Sequence, residues 1–414
     1  MADYEKSDIK LRFVELCAGI GGLRRGLEDA GWYCLQSVEL DRTCVSVHQT
    51  AFGDCLEADI HNLNAQDLPD HEMLVAGFPC QPFSTSGNRT GFTHQSGTVF
   101  SSIARLLREC CPPLVLLENV QGLLANQGGL TMATVLQELT NLGYRVSWAV
   151  LNASWFGVPQ NRPRVFLMGT RNAASMIDFD LFGTGYLRLD SANFEFLKVP
   201  LLASLPVVNE ANDLEQFLKV SCMESSGVLT KRSSFGVGGM ALGRQYVSIE
   251  KLRPLKEAPM WSDVGDIVSP SFWRRDQIRS ARYWGHSGKT RVYLRSDGLA
   301  HCVGTTIGSA PMFAIEEKFL RTRSDENALL EHANWSRSEN GLRVFRLNPK
   351  RAFLLFGPEM DGIADACADL QPTLGAAYRM LGNAVVPRMA EFCGRVAAKC
   401  LAPATVTDPS CIKT

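Results

Sequence analysis

Cys80 stands between two prolines in GFPCQPFS (Gly77–Ser84), directly after an apolar run. Ligands bind along the carboxyl edge of a parallel sheet, and two prolines leave the backbone few options. A thiol held this rigidly suits attack more than packing, and a soft thiolate is well matched to addition at an electron-poor ring carbon. Glu118 ends a second apolar run, LVLLE, and opens ENV; a carboxyl there can hold or protonate a ring nitrogen. QNRPR (Gln160–Arg164) adds Arg162 and Arg164, two guanidiniums able to lower a thiol pKa, grip a carbonyl and hold a phosphate. Taken singly, each has a plainer reading: a packing thiol, a solvated carboxylate, a surface charge pair.

A second set of residues suits a nucleotide-like ligand. FVELCAGIGG (Phe13–Gly22) places a strand before a glycine-rich turn and a helix, so that backbone N–H groups face a bound molecule. Cys17, Gly19, Gly21 and Gly22 lie in that turn. Glu39, at the end of the next apolar stretch, is placed to accept hydrogen bonds from ribose hydroxyls, and Asp59, beside Ile60, to bind an adenine amino group. A nicotinamide-dependent oxidoreductase shares the glycine turn and the acidic residue. It leaves the proline-flanked cysteine unexplained.

These residues need elements to hold them. Up to residue 171, short apolar runs alternate with helix-like stretches, the pattern of an α/β fold with a parallel sheet covered on both faces. Strands are expected at Leu11–Cys17, Tyr33–Glu39, Met73–Gly77, Leu114–Glu118, Tyr144–Leu151 and Arg164–Arg171, with helices at Leu23–Ala30, Thr43–Phe52, Val99–Glu109 and Leu130–Leu142. From about Asn172 to Glu339 the rhythm gives way to irregular sequence rich in Gly, Ser and Arg, read as a smaller second domain. Pro349–Phe356 and Ala384–Leu401 return to helical periodicity, and the last is expected to pack back on the first domain.

The 414 residues carry a net charge of −1 and a pI near 6.7, so any polyanionic partner must be met by a local basic surface. One stretch supplies it. Trp273–Arg295 interleaves Arg274, Arg275, Arg279, Arg282, Lys289, Arg291 and Arg295 with Trp273, Tyr283, Trp284 and Tyr293, against few acidic residues. Cations with aromatic planes suit a nucleic-acid-facing surface. The thirteen cysteines include no CxxC pair, and the chain opens on charged residues, so they are read as reduced thiols in an intracellular protein without a metal site. No apolar run is long enough to span a membrane.

With these residues in place, the chain resembles the DNA (cytosine-5) methyltransferase family. FVELCAGIGG, VELD, EADI, GFPCQPFS, SGTVF, LENV, QNRPR and YRMLGNAVVP follow one another in the family's order. The resemblance implies a Rossmann-like S-adenosylmethionine-dependent methyltransferase domain at residues 1–171, a target-recognition domain at 172–342 and a C-terminal segment at 343–414 that returns to the first domain. It implies that Cys80 attacks carbon 6 of a flipped cytosine, with Glu118 as base-binding acid and Arg162 and Arg164 as the supporting pair. S-adenosyl-L-methionine is the implied cofactor, with Gly382 and Asn383 completing its site. Double-stranded DNA is the implied substrate, met by Ser84, Arg274, Arg275, Arg279, Arg291 and Thr305, and the protein is expected to act as a monomer, with or without a cognate restriction endonuclease. Two departures stand out: Cys17 occupies a position where the family usually has an aromatic, and CVGTT at Thr305 replaces the usual Thr-Leu pair. A tRNA methyltransferase of the same fold and a catalytically silent DNA-binding relative share much of this pattern; the first usually shows PPCQPF and a CFT run, absent here.

Overall fold

The computed structural model describes residues 11–79, 99–124, 126–158, 160–172, 245–248, 278–284, 291–294, 300–305, 312–316, 336–337, 342–347 and 349–401. In the first part of the chain, strands β1 (Arg12–Leu16), β2 (Tyr33–Glu39), β3 (Leu56–Glu57), β4 (Met73–Gly77), β5 (Leu114–Val120), β6 (Arg145–Asn152), β7 (Gln160–Asn161) and β8 (Pro163–Thr170) alternate with helices α1 (Gly22–Asp29), α2 (Arg42–Phe52), α3 (Val99–Cys110) and α4 (Leu130–Asn141). Seven of these strands form one sheet in the order β3-β2-β1-β4-β5-β8-β6.

The apolar runs at the centre explain its burial. Met73–Ala76 and Leu114–Leu117 are wholly buried, as strands covered on both faces must be. Their side chains alternate between two cores: Met73, Val75, Leu114 and Leu116 join the cluster under α1 and the C-terminal helices. Leu74, Ala76, Val115 and Leu117 join the cluster under α3 and α4.

The strand expected at Arg164–Arg171 is present but runs antiparallel to both β5 and β6, so the sheet is not wholly parallel. The cause is the connection. Residues 153–162 hold only a single turn of 3-10 helix and β7, whereas a parallel return needs a crossover of about a dozen residues or more, usually helical.

The C-terminal segment forms α5 (Pro349–Phe353), α6 (Asp361–Leu370), α7 (Leu374–Asn383) and α8 (Pro387–Leu401). Periodicity did not single out α6 and α7. The last helix starts at Pro387, not Ala384: proline suits the first helical position, and Ala384, which ends α7, is extended at φ −62° and ψ 146°. Helix α8 packs along α1, and just beyond α1 Trp32 Nε1 donates to the Gly394 carbonyl at 2.9 Å.

The stretch read as irregular contains a six-stranded sheet. Its strands, β9 (Gln245–Ser248), β10 (Ile278–Trp284), β11 (Arg291–Leu294), β13 (Met312–Glu316), β14 (Ser336–Arg337) and β15 (Leu342–Arg346), pair antiparallel throughout. Strand β12 (Ala300–His301) leaves that sheet and pairs parallel with β7. Among the described residues no helix is long and apolar enough to cross a membrane.

Candidate functional site: a pocket at the carboxyl edge of the sheet

Strands β1, β2, β4 and β5 end at one cavity of about 520 Å³. The turn after β1 makes one wall. Cys17 and Gly19 have φ of 54° and 56°, Gly21 of 88°, so the chain reverses tightly and delivers the uncapped N-terminus of α1. A helix start with no capping side chain presents its N–H groups to a ligand. Two glycines are required by contact: a Cβ on Gly21 would lie 2.3 Å from the Phe52 ring, and one on Gly22 would lie 2.2 Å from the Val385 carbonyl. Gly21 is therefore set behind the wall, against α2, whereas Gly19 and Gly22 line the cavity.

Glu39 holds the turn in place. Its Oε2 accepts from the Gly19 N–H and its Oε1 from the N–H groups of Leu40 and Asp41, all at 2.8 Å. Oε2 retains a lone pair for a ligand hydroxyl. Asp59 accepts from the His61 N–H at 2.9 Å through Oδ1, and both Asp59 and Ile60 line the cavity. Burial pushes the Cys17 thiol up to about 12, making it a neutral wall.

The opposite wall comes from β5 and β8. Glu118 and Arg164 are both buried and meet across these strands, with Arg164 Nε 3.1 Å from Glu118 Oε1. Burial raises the Glu118 pKa more than Arg164 and Arg162 lower it, so this carboxyl holds a proton more readily than a free one. Asn119, whose role sequence reasoning missed, donates Nδ2 to the Phe78 carbonyl at 2.9 Å and fixes the backbone just before the Cys80 loop. Its signal was a second polar residue at the end of a buried strand. Arg379, on α7, was also missed; it reaches the cavity rim and pairs with Asp41 at 2.9 Å.

Arg162 is placed differently from the sequence expectation. It is fully buried, does not line the cavity, and directs its guanidinium to the backbone carbonyls of Val303, Gly382 and Ala384 at 3.1, 2.7 and 2.6 Å. The carbonyls that Arg162 meets thus belong to the protein, whereas Arg164 lines the cavity. Near both arginines lies Cys302, another residue that sequence reasoning did not single out. Burial raises its thiol pKa, but Arg162 and Arg164 together more than offset this and lower it.

Gly382 and Asn383 complete the cavity from the end of α7. Thr305 lies beside them, with backbone so close that a Cβ on Gly382 would sit 2.5 Å from the Thr305 nitrogen. Cys80, Ser84, Arg274 and Arg275 lie outside the described residues. Arg279 and Arg291 fall on the adjacent strands β10 and β11 of the six-stranded sheet, not on the sheet that carries the cavity.

Comparison with known proteins places this arrangement. Residues 11–196 match the family model for C-5 cytosine-specific DNA methylase. The Type II methyltransferase M.BsuFI of Bacillus subtilis is 41% identical over 179 residues, 43% of this chain and 44% of that protein. The Type II methyltransferase M.HhaI of Haemophilus parahaemolyticus is 41% identical over 169 residues, 41% of this chain and 52% of that one. The matched segments thus span about half the length of these curated relatives. Among solved structures, S. pombe Dnmt2 methyltransferase superposes with a TM-score of 0.54 at 16% identity, covering 95% of this chain and 100% of that one. That likeness speaks to the fold, which is the Rossmann-like fold of S-adenosylmethionine-dependent methyltransferases. The ordered strand ends, the glycine turn and the 41% identity point the same way: over residues 11–196, the chain is similar to the C-5 cytosine-specific DNA methylases.

Proposed function

We propose that this protein transfers a methyl group to carbon 5 of cytosine in duplex DNA. The observation that carries the reading is a single cavity in which the glycine turn, Glu39 and Asp59 stand opposite the buried Glu118–Arg164 pair, with Pro79, the residue before Cys80, on its wall. S-adenosyl-L-methionine fits the first set: positive-φ backbone at Gly19, the bare N-terminus of α1, a carboxylate with a free lone pair at Glu39 and a second carboxylate at Asp59. When bound, it supplies an electrophilic methyl group.

The chain's own residues supply the rest. Carbon 5 of cytosine becomes nucleophilic only after something adds to carbon 6, and Cys80 as thiolate is the adding group. Glu118, whose pKa burial raises, donates to ring nitrogen 3 in its protonated form and so draws off the electron density that the new sulfur–carbon bond pushes into the ring. Arg164 holds the Glu118 carboxyl in place and offers its remaining N–H groups to the base carbonyl. After transfer, water takes the carbon 5 proton, the electron pair so released expels the Cys80 thiolate and restores the aromatic ring, and ring nitrogen 3 returns its proton to Glu118. The base must leave the duplex to reach this cavity, at a cost of about a few kcal/mol. The second sheet, with Arg279 and Arg291 on neighbouring strands, is the surface we assign to the duplex, with Ser84, Arg274, Arg275 and Thr305 as further contacts.

The test is methylation of random-sequence duplex DNA with S-adenosylmethionine, read by bisulfite sequencing, beside the same assay on transcribed tRNA. Protection of cytosines at one DNA sequence is the expected outcome. Protection confined to tRNA, or none with either substrate, would overturn the reading. A nuclease in the host extract that cleaves the same sequence when unmethylated and spares it when methylated would further identify a separate restriction endonuclease as its partner.

A further inference from the structure

Arg162 ties together three parts of the chain that are remote in sequence. From its place between β7 and β8, Nη1 donates to the Val303 carbonyl at 3.1 Å and to Cys302 Sγ at 3.3 Å. Nη2 donates to the carbonyls of Gly382 at 2.7 Å and Ala384 at 2.6 Å. The guanidinium lies over the Phe356 ring, 5.0 Å from its centre. Gln160 reinforces the junction: its Oε1 accepts from the Val303 N–H at 3.1 Å and its Nε2 donates to the Leu355 carbonyl at 2.7 Å.

The two segments so joined do different work. Gly382–Val385 line the cofactor side of the cavity. Residues 302–305 follow β12, the strand that leaves the six-stranded sheet to pair with β7. They touch without slack: a Cβ on Gly382 would meet the Gly304 carbonyl carbon and the Thr305 nitrogen at 2.5 Å each. A shift of either segment must therefore be followed by the other or break charged hydrogen bonds to a buried cation, which are among the stronger ones in a protein.

We propose that Arg162 is a positioning residue that couples cofactor binding to duplex binding, and that Arg164 alone of the pair meets the base. The inference rests on the methyltransferase reading above. Coupling between two sites is reciprocal, so each ligand must tighten the other by the same factor.

The test measures the dissociation constant of S-adenosylhomocysteine, the non-reacting product of transfer, with and without a duplex carrying the sequence found by bisulfite conversion. For the wild-type chain the duplex should tighten binding by about 5-fold or more. In Arg162→Met the ratio should fall to about 1 and KM for the cofactor should rise more than kcat falls; Arg162→Lys, which lacks the planar fork, should restore only part of the ratio. Tyr144→Phe, which removes a hydrogen bond to the Pro112 carbonyl remote from the junction, should lower Tm while leaving the ratio unchanged. An unchanged ratio in Arg162→Met, or a fall in kcat alone, would overturn the proposal. Should that variant not fold, Gln160→Met carries the same test: a reduced ratio supports the coupling and an unchanged one refutes it. A wild-type chain that methylates no DNA removes the underlying reading instead, an outcome separate from active enzyme without coupling.

Discussion

Glu15 is a carboxyl whose charge the fold disfavours. It lies on β1 with no exposed surface, accepts a hydrogen bond from Ser37 at 3.1 Å, and has Arg24 nearby. Burial outweighs both partners and pushes its pKa from 4.5 up to about 8. The folded state therefore holds a proton that the unfolded chain releases above pH 4.5, so this contribution to stability is full below that value and is lost as pH rises towards about 8. Glu15→Gln should flatten the decline and gain on the order of a few kcal/mol at pH 8 by the usual conversion of a pKa shift. Urea unfolding of both chains at pH 5 and pH 8 checks it; parallel declines would show that Glu15 is ionised in the fold. Glu39 and Glu118 stood out in the sequence because a carboxylate ending an apolar run has few reasons to be there. Arg162 was not legible: the letters QNRPR do not reveal whether a guanidinium faces a cleft or the carbonyls of segments far along the chain.

The glycine turn and α8 depend on one another. Gly22 opens α1 directly against the Val385 carbonyl, just before α8, which is backbone and cannot swing aside. Gly22→Ala should cost about 1–3 kcal/mol, as overpacking of a filled site does, and should weaken cofactor binding because the same contact shapes the cavity wall. Differential scanning calorimetry with a cofactor titration reads both, and an unchanged Tm would mean that α8 moves freely away from α1. Strand positions were readable from apolar runs to within a residue or two, as Met73–Gly77 illustrates. Direction was not: whether the strand from Pro163 runs with or against its neighbours depends on what the preceding connection can fold into. Helix α7 escaped because Gly375, Ala376, Ala377 and Gly382 dilute the apolar pattern around buried Tyr378 and Leu381, and α6 contains three alanines; small residues weaken the periodic signal.

At the scale of the whole molecule, a chain of net charge −1 must bind a polyanion through a local surface. Arg279 lies on β10, whose register brings Arg282 opposite Tyr293 and, one strand further, Tyr246. Replacing Arg274, Arg275 and Arg279 together by Ala should weaken duplex binding and flatten its salt dependence, by a slope of about 0.9 for each phosphate no longer neutralised. Target and non-target duplex should weaken alike, since phosphate contacts carry no sequence information. Fluorescence anisotropy across a salt series measures it; equal affinity and slope for both proteins would place the duplex elsewhere. The charge pattern is legible in the sequence but the six-stranded sheet beneath it is not, because its short strands are separated by long polar stretches that obscure a two-residue period.

Covalent bonding of Cys80 to carbon 6 of the target cytosine, as proposed, can be trapped with a duplex carrying 5-fluorocytosine at the methylated position. Fluorine replaces the proton that must leave carbon 5, so elimination cannot follow transfer and the adduct should persist. With S-adenosylmethionine, the wild-type chain should give a denaturant-resistant protein–DNA species whose mass equals enzyme, duplex and one methyl group. Cys80→Ser should give none, because a serine hydroxyl is scarcely ionised near neutral pH. Absence of the adduct from an active wild-type enzyme, or its formation by Cys80→Ser, would contradict the account.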